Sequence, residues 1–131
     1  MRLMALLLFA FLFTSCKILN SQEDDYIYER IYLSKIELKD TVKVGEKFEV
    51  KIYGNFPTPG WEFYKIEVQE LQNEFKITPI ARIRKNIIVP QVLVPCSTSV
   101  ELVCKNFTDF LKISVIGRVD TLSKTIKVVS E

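Results

Sequence analysis

The chain has 131 residues, of which 48% are hydrophobic, a formal charge of +2 and no histidine. This length suits one domain with a tether. The near-balanced charge excludes the strong basic footprint of a nucleic-acid binder. Without histidine, Ser-His-Asp and Cys-His catalysis and histidine metal sites are excluded. The expectation is a protein that is not an enzyme, with no catalytic residues, no metal and no cofactor.

The N-terminus carries the most specific signal. Arg2 is followed by an apolar run from Leu3 to Phe13, then by Thr14, Ser15 and Cys16. A bilayer span needs about 20 residues, so this run is short for one, but it suits the apolar region of a secretory signal. A positive start, an apolar run and small residues directly before a cysteine resemble the bacterial lipoprotein signal. In that family a diacylglyceryl group is attached to the cysteine thiol and the chain is cut before it. Phe13 stands where the family prefers Leu. The open alternatives are an ordinary signal peptide cut near Ser15 and a buried apolar strand.

The resemblance implies a cleaved helical signal segment over 1–15, a lipidated Cys16 and tether over 16–30, and a domain over 31–131. It also implies the membrane as a partner, through lipid on Cys16, and a place in the bacterial cell envelope. Lys17 stands where an Asp retains some such lipoproteins at the inner membrane, which points to the outer membrane. Removal of the leader takes only Arg2 from the charge. With Cys16 assigned to lipid, Cys96 and Cys104 remain as an even pair in a disulfide-permissive compartment. The expectation is a Cys96–Cys104 disulfide, which over so short a loop contributes about 2.5 kcal/mol. The alternative is two buried thiols.

Lys17 to Tyr28 is polar, with Glu23, Asp24 and Asp25 at its centre, and reads as the tether. From Ile31 the apolar period becomes two. Ile31 and Leu33 share one face and Ile36 and Leu38 another, with a slip near Ser34. Lys47 to Tyr53 is the clearest strand. Phe48, Val50 and Ile52 point one way, and Lys47, Glu49 and Lys51 the other. Gly45 and Glu46 mark the turn before it. Gly54 to Gly60, with Pro57 and Pro59, reads as a break that no strand crosses.

Trp61 to Leu71 reads as a strand apolar on both faces near its start, crossing the middle of a sandwich. Gln72 and Asn73 form a hairpin turn. Glu74 to Arg84 returns, with Pro79 marking an edge or bulge. Asn86 to Val94 reads as a further β-branched strand and Cys96 to Phe110 as a loop. Leu111 to Ile116 alternates, Gly117 begins a turn, and Leu122 to Val129 closes the chain. The predicted fold is an all-β, immunoglobulin-like antiparallel sandwich of about seven strands.

Gly54, Pro57, Pro59, Gly60 and Gly117 stand where uncharacterised immunoglobulin-like bacterial lipoproteins carry similar residues. The resemblance implies a fold and a location but no activity, so the protein partner stays unknown. A second resemblance concerns function. Gly45-Glu46 before a strand, and Asn55, Phe56, Pro57, Thr58, Pro59, Gly60 and Trp61 after it, are similar to the chagasin-like inhibitors of cysteine proteases. Phe56 is an insertion relative to that motif, Pro59 departs from it, and the family's second and third loop motifs are missing. The expected function is thus a lipid-anchored envelope protein with a binding or structural role. The alternative is an inhibitor of secreted cysteine proteases, with Asn55 to Trp61 as its binding loop. Otherwise that stretch is a rigid turn, with Trp61 in the core. Glu101 and Asp109 read as surface carboxylates, and Asn106-Phe107-Thr108 is a glycosylation sequon only in form. Arg82, Arg84 and Lys85 form a solvated strand face, or one that meets an acidic partner or lipid headgroups.

Overall fold

The computed structural model describes residues 25–105 and 108–130. Among these the chain forms nine strands and no helix: β1 (Tyr26–Arg30), β2 (Tyr32–Glu37), β3 (Thr41–Lys43), β4 (Lys47–Phe56), β5 (Glu62–Glu70), β6 (Glu74–Arg84), β7 (Val94–Val103), β8 (Phe110–Ile116) and β9 (Thr121–Val129). The leader, Cys16 and the tether as far as Asp24 lie outside the described residues, as do Asn106 and Phe107 of the sequon.

The strands form two sheets. One holds β2, β4 and β7 with β4 in the middle; the other runs β6, β8, β9, β3, with β1 and β5 also bonded to β6. Phe48, Val50 and Ile52 face inward from β4, as the alternation predicts, and Phe56 continues the same face. They meet Phe75 and Ile77 of β6, Leu111, Ile113 and Val115 of β8, and Ile126 and Val128 of β9 in one core. Ile52, Ile77, Ile113 and Ile126 are fully buried, and each such side chain contributes about 1.5–3 kcal/mol.

The strands number more than seven, and two pairs, β6·β8 and β3·β9, are parallel. A parallel pair needs a crossover; between β6 and β8 it is supplied by β7, which lies in the other sheet. The sheet structure also begins earlier than expected. Tyr26 to Arg30, expected within the 16–30 tether, pairs residue for residue with Arg84 to Ile80. Ile31 then crosses the core, fully buried, and β2 continues in the opposite sheet.

The slip at Ser34 is a bulge between Leu33 and Lys35. Its extra residue re-phases the strand, so Leu33 and Ile36 both pack on the core. A second bulge lies between Phe63 and Lys65 in β5. Phe63 and Ile66 both pack on the core, with two residues between them instead of one. This spacing explains why β5 reads as apolar on both faces, although it is a mostly exposed strand beside β6.

Three further expectations are corrected. The β4 strand continues through Gly54 and Asn55 to Phe56, and the chain turns only at Pro57 to Gly60. A Cβ at Gly54 would collide with the Tyr32 carbonyl oxygen, so glycine permits the close approach of β2. Pro79 lies inside a continuous strand. β6 pairs with β8 as far as Ile77 and with β1 from Ile80, so the missing N–H falls between two partners. Asn86 to Leu93 forms no strand, while Val94 to Val103, read mainly as loop, is β7.

That last exchange overturns the disulfide. Cys96 lies in β7 and Cys104 directly follows it. Along an extended strand their Cα atoms stand about 26 Å apart, whereas a disulfide needs about 7 Å or less. The two cysteines are not bridged. Cys104 is buried in the core and Cys96 is half-buried.

Candidate functional site

The candidate binding loop folds down onto its own domain. Asn55 is half-buried on β4, between Tyr32 and Pro95. Phe56 is buried, its ring 5.0 Å from that of Phe63. Thr58 is only 8% exposed. Its hydroxyl donates to the Pro59 carbonyl at 3.0 Å and accepts the Trp61 indole N–H at 3.1 Å. Trp61 packs against the core. Gly60, at φ +97°, turns the chain in a conformation that side chains rarely adopt, and a Cβ there would press on Ile83 and Ile87. Among Asn55 to Trp61, only Gly60 is exposed.

Beside this turn, on the outer face, the register assembles a cluster from three strands. Tyr26 and Tyr28 alternate on β1 and stand opposite Arg84 and Arg82 on β6, while Glu62 on β5 stands opposite Arg82 from the other side. Tyr64 joins the cluster through the β5 bulge. Arg82 Nε donates to Glu62 Oε2 at 2.7 Å. Its guanidinium lies 4.1 Å from the Tyr26 ring centre and 5.1 Å from that of Tyr64. The Tyr28 and Tyr64 rings are 4.9 Å apart and tilted by 60°. The hydrogen bond to Glu62, with help from Tyr28, raises the Arg82 pKa above its ordinary value, and the side chain stays a cation at every pH the fold meets.

Tyr26, Glu62, Arg82, Arg84, Gly60 and Ile87 line a shallow groove of about 280 Å³. Larger depressions lie over the outer face of β4 and β7, about 430 Å³, and around Phe110 and Leu71, about 500 Å³. Neither gathers stacked aromatic rings around a cation.

The strand order, which sets β1 and β5 on either side of β6, is the signal the sequence did not show. Chemically, the cluster offers flat aromatic surface, a held guanidinium and phenolic hydroxyls. It contains no nucleophile with an adjacent base. A polar cluster elsewhere, where Ser114 donates to Glu74 at 2.8 Å and lies 3.1 Å from the Ser123 hydroxyl, joins β6, β8 and β9. Among the described residues, no group of three cysteine, aspartate or glutamate side chains could hold a metal ion.

The other predicted site residues are dispersed. Cys96 lies on the inner side of β7, and burial pushes its thiol up to about 11. Cys104 is a core residue, and Cys16 lies outside the described residues. No known family model matches the chain, and no curated protein or solved structure matches it.

Proposed function

We propose that the chain is a lipid-anchored protein of the bacterial cell envelope, held by lipid on Cys16, whose immunoglobulin-like domain binds a protein partner and catalyses no reaction. The observation that carries the binding role is the packing of Tyr26, Tyr28 and Tyr64 around Arg82 on an exposed sheet face. Tyrosine and arginine dominate the energetics of protein interfaces, and rings already packed together lose little rotamer freedom on binding. The anchor is supported by the apolar run ending in Thr14-Ser15-Cys16, and Lys17 after the cysteine favours the outer membrane. An inhibitor would need a loop free to enter a protease cleft, and the inward folding of Thr58 and Trp61 favours the binding module instead.

The test has two arms. Cys16→Ser releases the protein from membranes or blocks its processing. A photo-crosslinking residue at Tyr64 gives a discrete adduct in living cells, and the same residue at Thr125 gives none. Normal processing and membrane partitioning of Cys16→Ser would overturn the anchor. Identical crosslinking at both positions would overturn the binding face.

A further inference from the structure

The connection from β6 to β7, Lys85 to Leu93, presents large apolar side chains to solvent. Ile88 is fully exposed, and Ile87, Val92 and Leu93 are each close to half exposed or more. Among the described residues, none buries these side chains fully. A connection that only crosses from one sheet to the other has no need of four large aliphatic residues, and large apolar side chains exposed together within one short segment point to a contact surface. The segment contains no acidic residue, and the exposed Arg84 and Lys85 stand at its root. Ile87 lies against Gly60, which fixes that root on the domain. Asn86, at φ +63°, and Pro90 shape the projection beyond it.

The path of the chain brings the N-terminal segment to this surface. The Lys85 N–H donates to the Asp25 carbonyl at 2.9 Å, and Tyr26 pairs with Arg84. The N-terminal segment therefore joins the domain at the root of this same connection. Cys16 precedes Asp25 by a stretch that, fully extended, reaches only about 30 Å. A lipid on Cys16 holds the apolar tip within reach of the membrane surface.

We propose that Ile88, Val92 and Leu93 insert into the interface of an anionic lipid bilayer, with Arg84 and Lys85 against its phosphates, as a second contact that orients the anchored domain. The inference rests on the lipid anchor proposed above. A shallow apolar insertion flanked by cations binds membranes by apolar burial together with attraction to anionic headgroups. At interfacial depth the irregular backbone keeps its water, so no helix or closed barrel is required.

The test uses the processed full-length protein purified from bacterial membranes and reconstituted in vesicles of phosphatidylethanolamine and phosphatidylglycerol. In a Trp61→Phe background, Ile88→Trp serves as the probe. Asn73→Trp, at the far end of β6, serves as the control. Flotation in the same sample reports the anchor. The expected result is a blue-shifted Ile88→Trp emission, quenched severalfold more by lipids labelled near the headgroup than the control. Replacing phosphatidylglycerol by phosphatidylcholine reduces that quenching. Protein that floats, with the two probes quenched alike, overturns the membrane contact and leaves the anchor standing. Protein that does not float overturns both. A blue shift that depends on protein concentration and is unchanged when lipid is withheld assigns the surface to a second copy of the chain and overturns the proposal.

Discussion

The indole N–H of Trp61 donates to the hydroxyl of Thr58 at 3.1 Å, across the turn that joins the two sheets. Thr58 is the hub of this turn, because its hydroxyl also donates to the Pro59 carbonyl. Thr58→Val keeps the shape and removes both bonds. A half-buried indole N–H then loses its partner, a loss of about 1–3 kcal/mol. Urea unfolding should show a lower midpoint at unchanged slope. A midpoint equal to that of the parent would mean that the turn is held by packing alone.

The same folded-in turn predicts no inhibition of papain by the protein at micromolar concentration. A protease–inhibitor contact buries about 800 Å² per partner, and of this turn only Gly60 is exposed, with Pro57, Pro59 and Trp61 half-buried. A nanomolar inhibition constant, abolished by replacing Thr58 and Gly60, would install the inhibitor reading.

Gly54→Ala forces a methyl group into the Tyr32 carbonyl oxygen. Overpacking of this kind costs about 1–3 kcal/mol, and the backbone oxygen cannot swing aside as a side chain could. The pairing of β2 with β4 should open first. Hydrogen exchange at β2 amides checks this; protection equal to the parent would show that the strands shift without loss.

Cys96 and Cys104 should both alkylate in the unfolded protein without prior reductant. In the folded protein Cys96 should react slowly at pH 8, because burial holds its thiol at about 11 and the thiolate is the reactive form. A mass two hydrogens lower than the dithiol, or fast labelling of Cys96 at pH 8, would contradict the strand placement of these residues.

Three surface carboxylates predict a pH dependence. The Lys124 ammonium bonds to Asp40 and holds its carboxyl below its ordinary range. The backbone N–H of Lys43, and then Lys39, do the same for Glu46, and Lys35 for Glu37. A carboxylate whose pKa is lowered by folding stabilises the fold above its unfolded value, about 4. That stabilisation is lost as pH falls through the lower folded value. Tm should be flat from neutral pH to about 5 and decline below about 4. Because these groups are solvated the effect is small, and Asp40→Asn with Glu46→Gln should flatten the decline. An unchanged acid limb in that double variant would assign the decline to other groups.

The legible parts of the fold are the strands whose two faces differ in chemistry. In β4, Phe48, Val50 and Ile52 oppose Lys47, Glu49 and Lys51; in β8, Leu111, Ile113 and Val115 alternate with Lys112 and Ser114. β7 was illegible because its inward positions include Cys96 and Thr98 and its outward ones Ser97 and Ser99, so the alternation carries little contrast in polarity. Asn86 to Val94 misleads in the opposite way. Its β-branched residues have strand propensity, but Pro90 lacks a donor, Asn86 takes a positive φ, and among the described residues no strand pairs with Asn86 to Leu93. The tyrosine–arginine cluster depends on which strands flank β6, and nothing local in Tyr26, Tyr64 or Arg82 encodes that order.

The division of the first strand at Ile31 also has a mechanical consequence. A pull on the N-terminal side, directed along β1, loads its five pairs with β6 in shear, so they resist together and do not peel one after another. Should they yield, the tension passes through the buried Ile31 to β2, which is bonded into the other sheet. The two sheets thus meet a towing force in series, and a domain held from that end has a second line of resistance behind the first.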